Sequence, residues 1–383
     1  MHTTMATENN NKNLNVPNLR FPEFSGEWTK TLLNNYLEEN KERNKRGIFT
    51  KNHVLSVSGD FGIVNQIELL GRSFAGKSVL DYHVVRTGNI VYTKSPLKEY
   101  PYGIVKVNGG VDGIVSTLYA VYKVKETANG KFVEYYFGLP NRTNRYFKPI
   151  VRIGAKHDMK IGNDEVLANY VVFPCVDEQK RISDFICLLD ERIATQIKII
   201  EKLESLIKGL CQKLMQQDNP NTALNEALEC YSSTLQESSV QEAGDYPVYG
   251  ATGVCGYTDA PEVDGDSILI IKDGASVGVT YYASGKYSAI GTLNRLIATS
   301  GYSLRYLYYC LKVFNFAPYR TGLAIPHIYF RDYGKAKIWC PPIEEQNRIA
   351  NVLEKVEQKI ATEKSLLQQL YSQKRFLLQA MFI

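Results

Sequence analysis

The feature that most constrains this chain is a long amphipathic helix that the sequence contains twice. The first copy begins at residues 174–182 (PCVDEQKRI), and the second begins at residues 341–349 (PPIEEQNRI). A shift of 167 positions aligns the two copies without a gap and places residues 193–195 on residues 360–362, both of which read Ile-Ala-Thr. Each copy follows a globular stretch of more than a hundred residues, so we predict two modules, each followed by a helix.

Apolar residues recur every three or four positions from Ile182 to Leu214 in the first copy, and the second copy repeats the pattern from Ile349 to Met381. This spacing over such a length predicts a coiled-coil seam. The second seam is interrupted near Glu363-Lys364 and Gln373-Lys374, which are predicted to face a partner or solvent. A helix over residues 177–215 would be about 55–60 Å long at 1.5 Å per residue, which is roughly 16–17 base-pair steps of 3.4 Å. We therefore predict that the helices separate two binding modules by a fixed distance. A stalk that only dimerises is the alternative interpretation.

The length of 383 residues exceeds that of one ordinary core and favours two or three domains. The predicted division is a disordered tail over 1–16, a first module over 17–173, a central helix over 174–217, a second module over 218–340 and a C-terminal helix over 341–383.

Charge is unevenly distributed although the formal net charge is only +5. Residues 61–172 contain 15 Lys and Arg against 9 Asp and Glu, a net charge of +6, whereas residues 220–342 contain 9 against 11, a net charge of −2. The first module is thus predicted to carry a surface for a polyanion. The second would need a local basic face.

The seven cysteines are scattered and form no C-x-x-C pair, which favours a reduced, cytoplasmic protein. The polar, Asn-rich first 16 residues do not resemble a signal peptide. The longest continuous aliphatic run, residues 268–271, is far too short to cross a bilayer. We therefore predict no membrane partner.

Residues 71–78 (GRSFAGKS) match the phosphate-binding pattern G-x-x-x-x-G-K-[ST]. A phosphate loop needs a strand before it, for which residues 67–70 are the candidate, and a helix that opens at its lysine. The residues that follow are instead β-branched and lack helical periodicity up to Gly88. We interpret the match as fortuitous, but a nucleotide-binding enzyme that uses Gly71–Ser78 remains the alternative function.

No other catalytic pattern is found: the sequence has no methyltransferase tetrapeptide, no glycine loop for a methyl donor, and no Cys/His cluster with metal-ligand spacing. We predict neither catalytic residues nor a metal site. Basic and aromatic clusters remain, and such side chains can contact phosphates or base edges, although an ordinary solvated loop explains each residue taken singly. The candidate DNA-binding residues are Lys94, Lys98, Tyr102, Arg142, Arg145, Lys148, Lys272, Ser276, Arg295, Tyr319, Arg320 and Thr321.

The pattern P-x-x-x-E-Q-x-R-I at the start of a long helix, twice in one chain, resembles the specificity subunits of type I restriction-modification systems. The resemblance extends to residues 18–24 (NLRFPEF) with Trp28, to residues 246–253 (YPVYGATG) and to residues 322–328, and it covers 17–383. It implies an α/β (α+β) protein with two similar target-recognition domains, separated by two long helices packed as an antiparallel coiled coil.

The same resemblance implies a non-catalytic subunit that binds a bipartite, asymmetric double-stranded DNA target, with one half-site per domain and the gap set by the helices. The helices would dock two methyltransferase (modification) subunits, and restriction/translocase subunits would join them. The methyl donor, ATP and Mg²⁺ would be held by those partners, with no cofactor on this chain. The residues expected at the helix and subunit interface are Glu178, Gln179, Arg181, Ile182, Glu345, Gln346, Arg348 and Ile349.

Overall fold

The computed structural model describes residues 15–76, 78–96, 100–153, 159–215, 220–322 and 324–383. These residues form two compact units. Unit 1 contains the described residues up to Ala194 together with 368–383, and unit 2 contains residues 195–367. Each of the two long helices therefore contributes one part to each unit.

Among the described residues, unit 1 contains twelve short strands, three short helices and the first part of a 40-residue helix. The strands are β1 (Thr29–Leu32), β2 (Leu37–Glu39), β3 (Leu55–Ser58), β4 (Gly62–Asn65), β5 (His83–Val85), β6 (Ile90–Tyr92), β7 (Val105–Val107), β8 (Gly113–Val115), β9 (Ala120–Val124), β10 (Arg152–Ile153), β11 (Met159–Lys160) and β12 (Tyr170–Phe173). The helices are α1 (Gln66–Leu70), α2 (Gly130–Tyr136), α3 (Pro140–Phe147) and α4 (Val176–Met215). Single 3₁₀ turns lie at Leu33–Asn35, Lys51–His53 and Glu165–Ala168.

The largest sheet of unit 1 is antiparallel, with the strand order β2-β9-β6-β7. Its inner strand β6 is buried at all three positions, and Val91 faces Val121 on one side and Lys106 on the other. Two-stranded pairs β1-β12, β3-β4, β5-β8 and β10-β11 surround it. The β1-β12 pair leads directly into α4, so the globular part of unit 1 and the helix are continuous.

Stacked aromatic rings fill the core of unit 1. The Tyr92 ring lies parallel to Phe147 at a centroid distance of 4.4 Å, and Phe132 meets Phe173 edge to face at 5.0 Å. Phe132 also stacks on Phe382 from the C-terminal segment at 5.0 Å. Such pairs stabilise a fold by about 0.5–1.5 kcal/mol beyond the burial of their area, which explains the high aromatic content of the module.

Unit 2 contains a second set of strands and short helices and ends in the second long helix. The strands are β13 (Thr222–Ala223), β14 (Leu228–Ser232), β15 (Tyr246–Gly250), β16 (Gly253–Thr258), β17 (Val263–Asp264), β18 (Ser267–Ile271), β19 (Thr280–Ala283), β20 (Lys286–Ala289), β21 (Leu293–Ala298) and β22 (Lys337–Ile338). The helices are α5 (Leu224–Ala227), α6 (Leu304–Val313), α7 (Phe330–Tyr333) and α8 (Ile343–Ala380), with 3₁₀ turns at Glu237–Ser239 and Ala317–Tyr319.

Two four-stranded sheets, β14-β21-β18-β19 and β16-β15-β20-β17, form the framework of unit 2. Strand β18 is buried at all five positions because both of its faces are covered. Ile268 and Ile270 share a core with Leu307 of α6, whereas Leu269 and Ile271 share another with Tyr287 of the second sheet. A strand covered on both faces reads as a continuous apolar run, and this accounts for the sequence of residues 268–271.

Both long helices form as the repeat predicts: α4 has 40 residues and α8 has 38. In unit 2 the two helices run antiparallel, because Gln196 of α4 contacts Glu363 of α8 while Cys211, further along α4, shares a core with Leu353 and Ile349, earlier in α8. The predicted fold class is confirmed.

The described residues around Gly71–Ser78 do not form the strand and helix that a phosphate loop requires, so this alternative is wrong. Residues 67–70, the candidate strand, lie instead in helix α1, and Gly71 ends that helix with a left-handed φ of +74°. No helix opens among the described residues between Gly71 and His83, where β5 begins. Lys77 itself lies outside the described residues. A helix that points its carboxyl end at the loop cannot supply the N–H groups that hold phosphates.

Within the described part of the chain, no helix has both the length and the apolar character needed to cross a membrane. All seven cysteines are described, and none is in a disulfide.

His83 gives unit 1 a predicted pH dependence. Its ring is buried, its Nδ1 atom has no hydrogen-bond partner, and burial, assisted by the nearby charge of Arg43, lowers its pKa from 6.5 to about 4. The unfolded chain binds this proton more tightly than the folded chain does. Above pH 6.5 the ring is neutral in both states, so His83 does not lower the free energy of unfolding there. That free energy should decrease by about 1.4 kcal/mol per pH unit as the pH falls from 6.5 towards 4.

Urea unfolding of wild type and His83→Leu at pH 7.5 and pH 5 measures this effect. The His83→Leu variant should lose less stability than wild type on acidification. Equal acid sensitivity of wild type and His83→Leu would contradict the assignment.

Candidate nucleic-acid interface

The glutamine of the first helix entry, Gln179, holds the globular part of unit 1 to α4. The Gln179 side chain donates from Nε2 to the Pro174 carbonyl at 3.0 Å and accepts the Asn129 backbone N–H at 2.9 Å. Asn129 caps α2, because its own side chain accepts the N–H of Phe132 at 3.0 Å. One buried amide thus joins the start of α4 to the start of α2.

The same arrangement recurs 167 residues later in unit 2. The Gln346 side chain donates to the Pro341 carbonyl at 2.8 Å and accepts the Ser303 N–H at 2.9 Å. Ser303 precedes α6 as Asn129 precedes α2. We call each of these bridging amides, Gln179 and Gln346, a glutamine clamp. The repeated sequence motif therefore encodes a contact inside each unit.

A second equivalent contact lies six residues after each capping position. The Tyr135 hydroxyl donates to Asp190 at 2.8 Å, and the Tyr309 hydroxyl donates to Glu357 at 2.8 Å. Asp190 and Glu357 are again 167 positions apart. Burial, with the neighbouring carboxylates, raises the pKa of both phenols, so each remains a proton donor at neutral pH. A lysine pairs with each carboxylate: Lys374 with Asp190 at 2.5 Å, and Lys312 with Glu357 at 2.5 Å.

The glutamates beside the clamps differ between the units. Glu178 is buried and accepts from Arg20 at 2.7 and 2.8 Å and from the Trp28 indole at 3.2 Å. The hydrogen bonds to Glu178 raise the pKa of Arg20. Glu345 instead pairs with Arg348 one turn later, at 2.6 Å, and remains partly exposed. Arg20, in the N-terminal sequence NLRF, thus neutralises a buried carboxylate in unit 1.

These contacts correct the expectation that the helix entries dock other subunits with all eight residues. Glu178, Gln179, Ile182, Gln346 and Ile349 are buried within the chain. Burial removes their side chains from the surface and leaves the other three, Arg181, Glu345 and Arg348, accessible.

A polar pair interrupts the apolar seam of the helices in unit 2. The Gln196 amide donates to the Glu363 carbonyl at 3.1 Å and to its carboxylate, and both side chains are buried. Lys359, four residues earlier, and Gln196 lower the pKa of Glu363. Glu363 was predicted to lie where the seam opens towards solvent or a partner, but it is paired inside the seam. Gln196 and Glu363 are themselves 167 positions apart, so equivalent residues of the two repeats meet here.

Two of the candidate DNA-binding residues in unit 1 are committed to the fold. Lys94 donates to the Ile161 carbonyl at 2.8 Å and to Asn163 at 2.5 Å, and burial lowers its pKa. Arg142 donates to three backbone oxygens of the C-terminal segment, those of Leu378, Phe382 and Ile383, at 2.9–3.2 Å. Burial lowers the pKa of Arg142 to about 10. Neither cation is free to bind DNA, which corrects both assignments.

The other candidates of unit 1 are more accessible. Arg145 and Lys148 are exposed on α3 or just after it, and Arg145 lines a cavity of about 280 Å³ with Lys30 and Tyr170. Tyr102 is half-buried, and its carbonyl accepts the hydroxyl of a core tyrosine at 2.6 Å. Lys98 lies outside the described residues.

Four candidates of unit 2 are brought together by backbone hydrogen bonds between two loops: Lys272, Ser276, Arg320 and Thr321. The Ile328 N–H donates to the Lys272 carbonyl, and the Gly274 N–H donates to the Pro326 carbonyl, each at 2.9 Å. The imidazole of His327 pairs with Asp273 at 2.5 Å. Arg320 donates to the Val277 carbonyl at 3.1 Å, and its side chain remains exposed.

Arg295 and Tyr319 do not belong to this cluster. Arg295 lies over the Tyr231 ring, 4.6 Å from its centroid, and faces Leu269 across β21 and β18, on the face opposite Ile268. Tyr319 stacks on Phe314 at 5.9 Å and packs against the main core. Both positions have a packing explanation.

A basic segment that the candidate set omitted lies on the surface of unit 1. Residues 41–51 (KERNKRGIFTK) contain five cations and one anion, and all five basic residues are exposed. The signal was present in the sequence as a charge run outside the segment 61–172 over which the module's charge was summed.

Among the described residues, no cluster of His, Cys, Asp or Glu could hold a metal ion.

Comparison with known proteins finds a family match for part of the chain. Residues 230–372 match the family model of the type I restriction modification DNA specificity domain. A putative type I restriction enzyme specificity subunit of Haemophilus influenzae is 26% identical over 155 residues, which are 40% of this chain and 39% of that protein. The EcoprrI specificity subunit of Escherichia coli is 27% identical over 115 residues, 30% of this chain and 29% of that protein. The alignments thus span less than half the length of these curated relatives.

The fold likeness extends over nearly the whole chain. The S subunit of a type I restriction-modification system from M. genitalium aligns with a TM-score of 0.63 at 16% identity, covering 96% of this chain and 99% of that one. A chain from another type I system aligns with a TM-score of 0.55 at 16% identity and covers 93% and 97%. The chain thus resembles the specificity subunits of type I restriction-modification systems in the domain at residues 230–372 and in its fold.

Specificity subunits function within type I restriction-modification complexes. In this chain the two glutamine clamps are a structural signature of the repeat. They fix each globular part on its helix and leave Arg181 and Arg348 as the most exposed parts of the motif, with side-chain exposures of 58% and 76%.

The clamp of unit 2 can be tested by substitution. Gln346→Ala should leave the Ser303 N–H and the Pro341 carbonyl without partners and lower the free energy of unfolding of unit 2 by about 2–4 kcal/mol. Gln358→Ala, an exposed glutamine of the same helix, should change it by less than about 0.5 kcal/mol. Urea unfolding measures both effects, and hydrogen exchange at the Ser303 amide should increase only in Gln346→Ala. Equal behaviour of the two variants would contradict the clamp.

Proposed function

We propose that this chain is the non-catalytic DNA-reading subunit of a type I restriction-modification complex, in which each globular unit binds one half of a bipartite, asymmetric target. The observation that carries the proposal is the pair of glutamine clamps. Two units that share their attachment to a helix but differ in surface loops and charge are suited to present two different reading surfaces.

The cluster of Lys272, Ser276, Arg320 and Thr321 is the proposed contact surface of unit 2. Cationic and hydroxyl side chains on two loops tied together by backbone hydrogen bonds are suited to phosphates and base edges. Exposed Arg331 and the nearby Tyr329, whose ring it covers at 4.9 Å, add a further cation and aromatic surface. A local basic surface of this kind compensates for the net charge of −2 over residues 220–342.

The helices α4 and α8 are proposed to set the unspecified gap between the half-sites. Their exposed residues, including Arg181, Glu345 and Arg348, are proposed to dock modification subunits, one for each copy of the motif. Restriction/translocase subunits would join that assembly. The methyl donor, ATP and Mg²⁺ are proposed to be held by those partners.

Sequencing of DNA modification tests the proposal directly. The full chain is co-expressed with its cognate modification subunit in a host that lacks type I methylation, and genomic N6-methyladenine is mapped. We expect methylation at one asymmetric, interrupted motif that appears only when both proteins are present. A scaffold that only dimerises would leave the host DNA unmodified, and that result would contradict the proposal.

The spacing role predicts the effect of paired insertions. Four residues added between Gln196 and Ile197 and four between Thr362 and Glu363 preserve the antiparallel pairing because the two sites face each other. Since four helical residues add about 6 Å, the gap should lengthen by about one or two base pairs while both half-sites keep their letters. The same methylation map measures the gap.

A four-residue insertion in α4 alone is the matched control, because it shifts the seam of α4 against α8 and should abolish specific methylation. Changed half-site letters after the paired insertion would show that the helices do not act as a spacer.

A further inference from the structure

The exposed basic segment in unit 1 contains a short loop that its own side chains hold closed. Asn44 is 3% exposed, and its side chain donates to the Phe49 carbonyl at 2.7 Å and accepts the Phe49 N–H at 3.0 Å. The same amide donates to the Val79 carbonyl at 3.2 Å. A buried asparagine therefore ties both ends of loop 44–49 together and to the neighbouring segment.

A tight turn forms the tip of loop 44–49. The Gly47 N–H donates to the Asn44 carbonyl at 2.9 Å, and Gly47 has a left-handed φ of +65°. This geometry places Lys45 and Arg46 at the two central positions of the turn, where side chains point into solvent. A loop fixed in this way loses little conformational entropy when it binds a partner.

The charges around loop 44–49 are predominantly positive, and one of the loop's own two cations has no ion pair with the described residues. Lys45 pairs with Asp81, and Arg86 pairs with Glu42 at 2.7 Å and Asp112 at 3.0 Å. The side chain of Arg46 forms no ion pair or hydrogen bond with any residue that the structure describes. Its charge is therefore available to an external anion.

An open cavity of about 390 Å³ lies beside the loop. Its lining includes the four cations Arg43, Lys45, Arg46 and Arg86, one anion, Glu42, and the apolar side chains of Ile48 and Phe49. Ile48 is 66% exposed, and Leu80, which packs close to Gly47, is 45% exposed. Four cations with an apolar tip match a nucleic-acid groove, which offers phosphates along its edges and apolar thymine methyl groups on its floor. A protein partner of ordinary composition would not require four cations around one cavity.

We infer that loop 44–49 is the surface with which unit 1 contacts double-stranded DNA at its half-site, with Arg46 as a DNA-contacting residue and Ile48 as the apolar contact beside it. The inference rests on the proposed function and adds residues to the DNA-binding set. Asn44 is a positioning residue, since its buried amide fixes the loop and does not reach the surface.

The test measures DNA affinity of the complete complex of this chain with its modification subunits, by fluorescence anisotropy on a duplex that carries the mapped motif. Arg46→Gln should weaken binding about tenfold and reduce the slope of log affinity against log salt by about 0.9, because one cation contact is lost. Ile48→Ser should weaken binding while leaving the salt slope unchanged, because no charge is removed.

Lys30→Gln is the matched control. It removes one exposed cation from the β1-β12 pair of the same unit, next to Tyr170, and should leave both affinity and salt slope at the wild-type values. Thermal unfolding verifies that all three variants remain folded, which is expected because each side chain is exposed.

Two failures are distinguishable. A wild-type complex that methylates no interrupted motif overturns the proposed function itself. A wild-type complex that methylates such a motif, together with Arg46→Gln and Ile48→Ser variants that bind as wild type does, overturns only the assignment of loop 44–49. An equal loss of affinity in Lys30→Gln and Arg46→Gln also overturns it, because the effect would then be one of overall charge.

Discussion

The architecture depends on two buried amide groups. The Gln179 and Gln346 side chains each join the proline just before a long helix to the backbone N–H of the N-cap residue of a helix in the globular part. A buried N–H or carbonyl without a partner costs about 1–3 kcal/mol, so each helix entry and each globular part are stable in one relative arrangement only. The tyrosine–carboxylate pairs at Asp190 and Glu357 add a second fixed point to each unit.

The polar residues of the helices have roles that a purely apolar seam could not provide. The Gln196–Glu363 pair lies inside the seam of unit 2, where sliding the helices by one turn would leave both groups buried and unpaired. A single buried polar pair of this kind specifies register in coiled coils at some cost in stability. For a subunit proposed to hold two reading surfaces a set distance apart, a unique register is the property that matters.

The candidate DNA-binding residues show how far sequence reasoning reached. Four of the six candidates in unit 2 come together, namely Lys272, Ser276, Arg320 and Thr321, because Pro326 and Ile328 are hydrogen-bonded to Gly274 and Lys272 just after β18. Lys94 and Arg142 look the same in sequence, yet both are half-buried and donate to backbone carbonyls. Arg46, whose side chain has no ion pair among the described residues, was not among the residues that the sequence indicated. A lysine or arginine carries the same charge whether it donates to carbonyls inside the fold or faces solvent. The residue type therefore does not reveal which of the two environments the side chain occupies.

The sequence by itself determined the duplicated helices, their apolar faces and their approximate limits, because helical periodicity is a local property that neighbouring residues specify. It also carried the family resemblance through the repeated motif. Only the tertiary structure decided that Gln179 and Gln346 act inside the chain and that Glu178 is buried with Arg20. It likewise decided that Arg142 is bound by carbonyls more than two hundred residues away. Burial and pairing of a polar group depend on segments distant in sequence, and no local pattern encodes which distant segment will arrive.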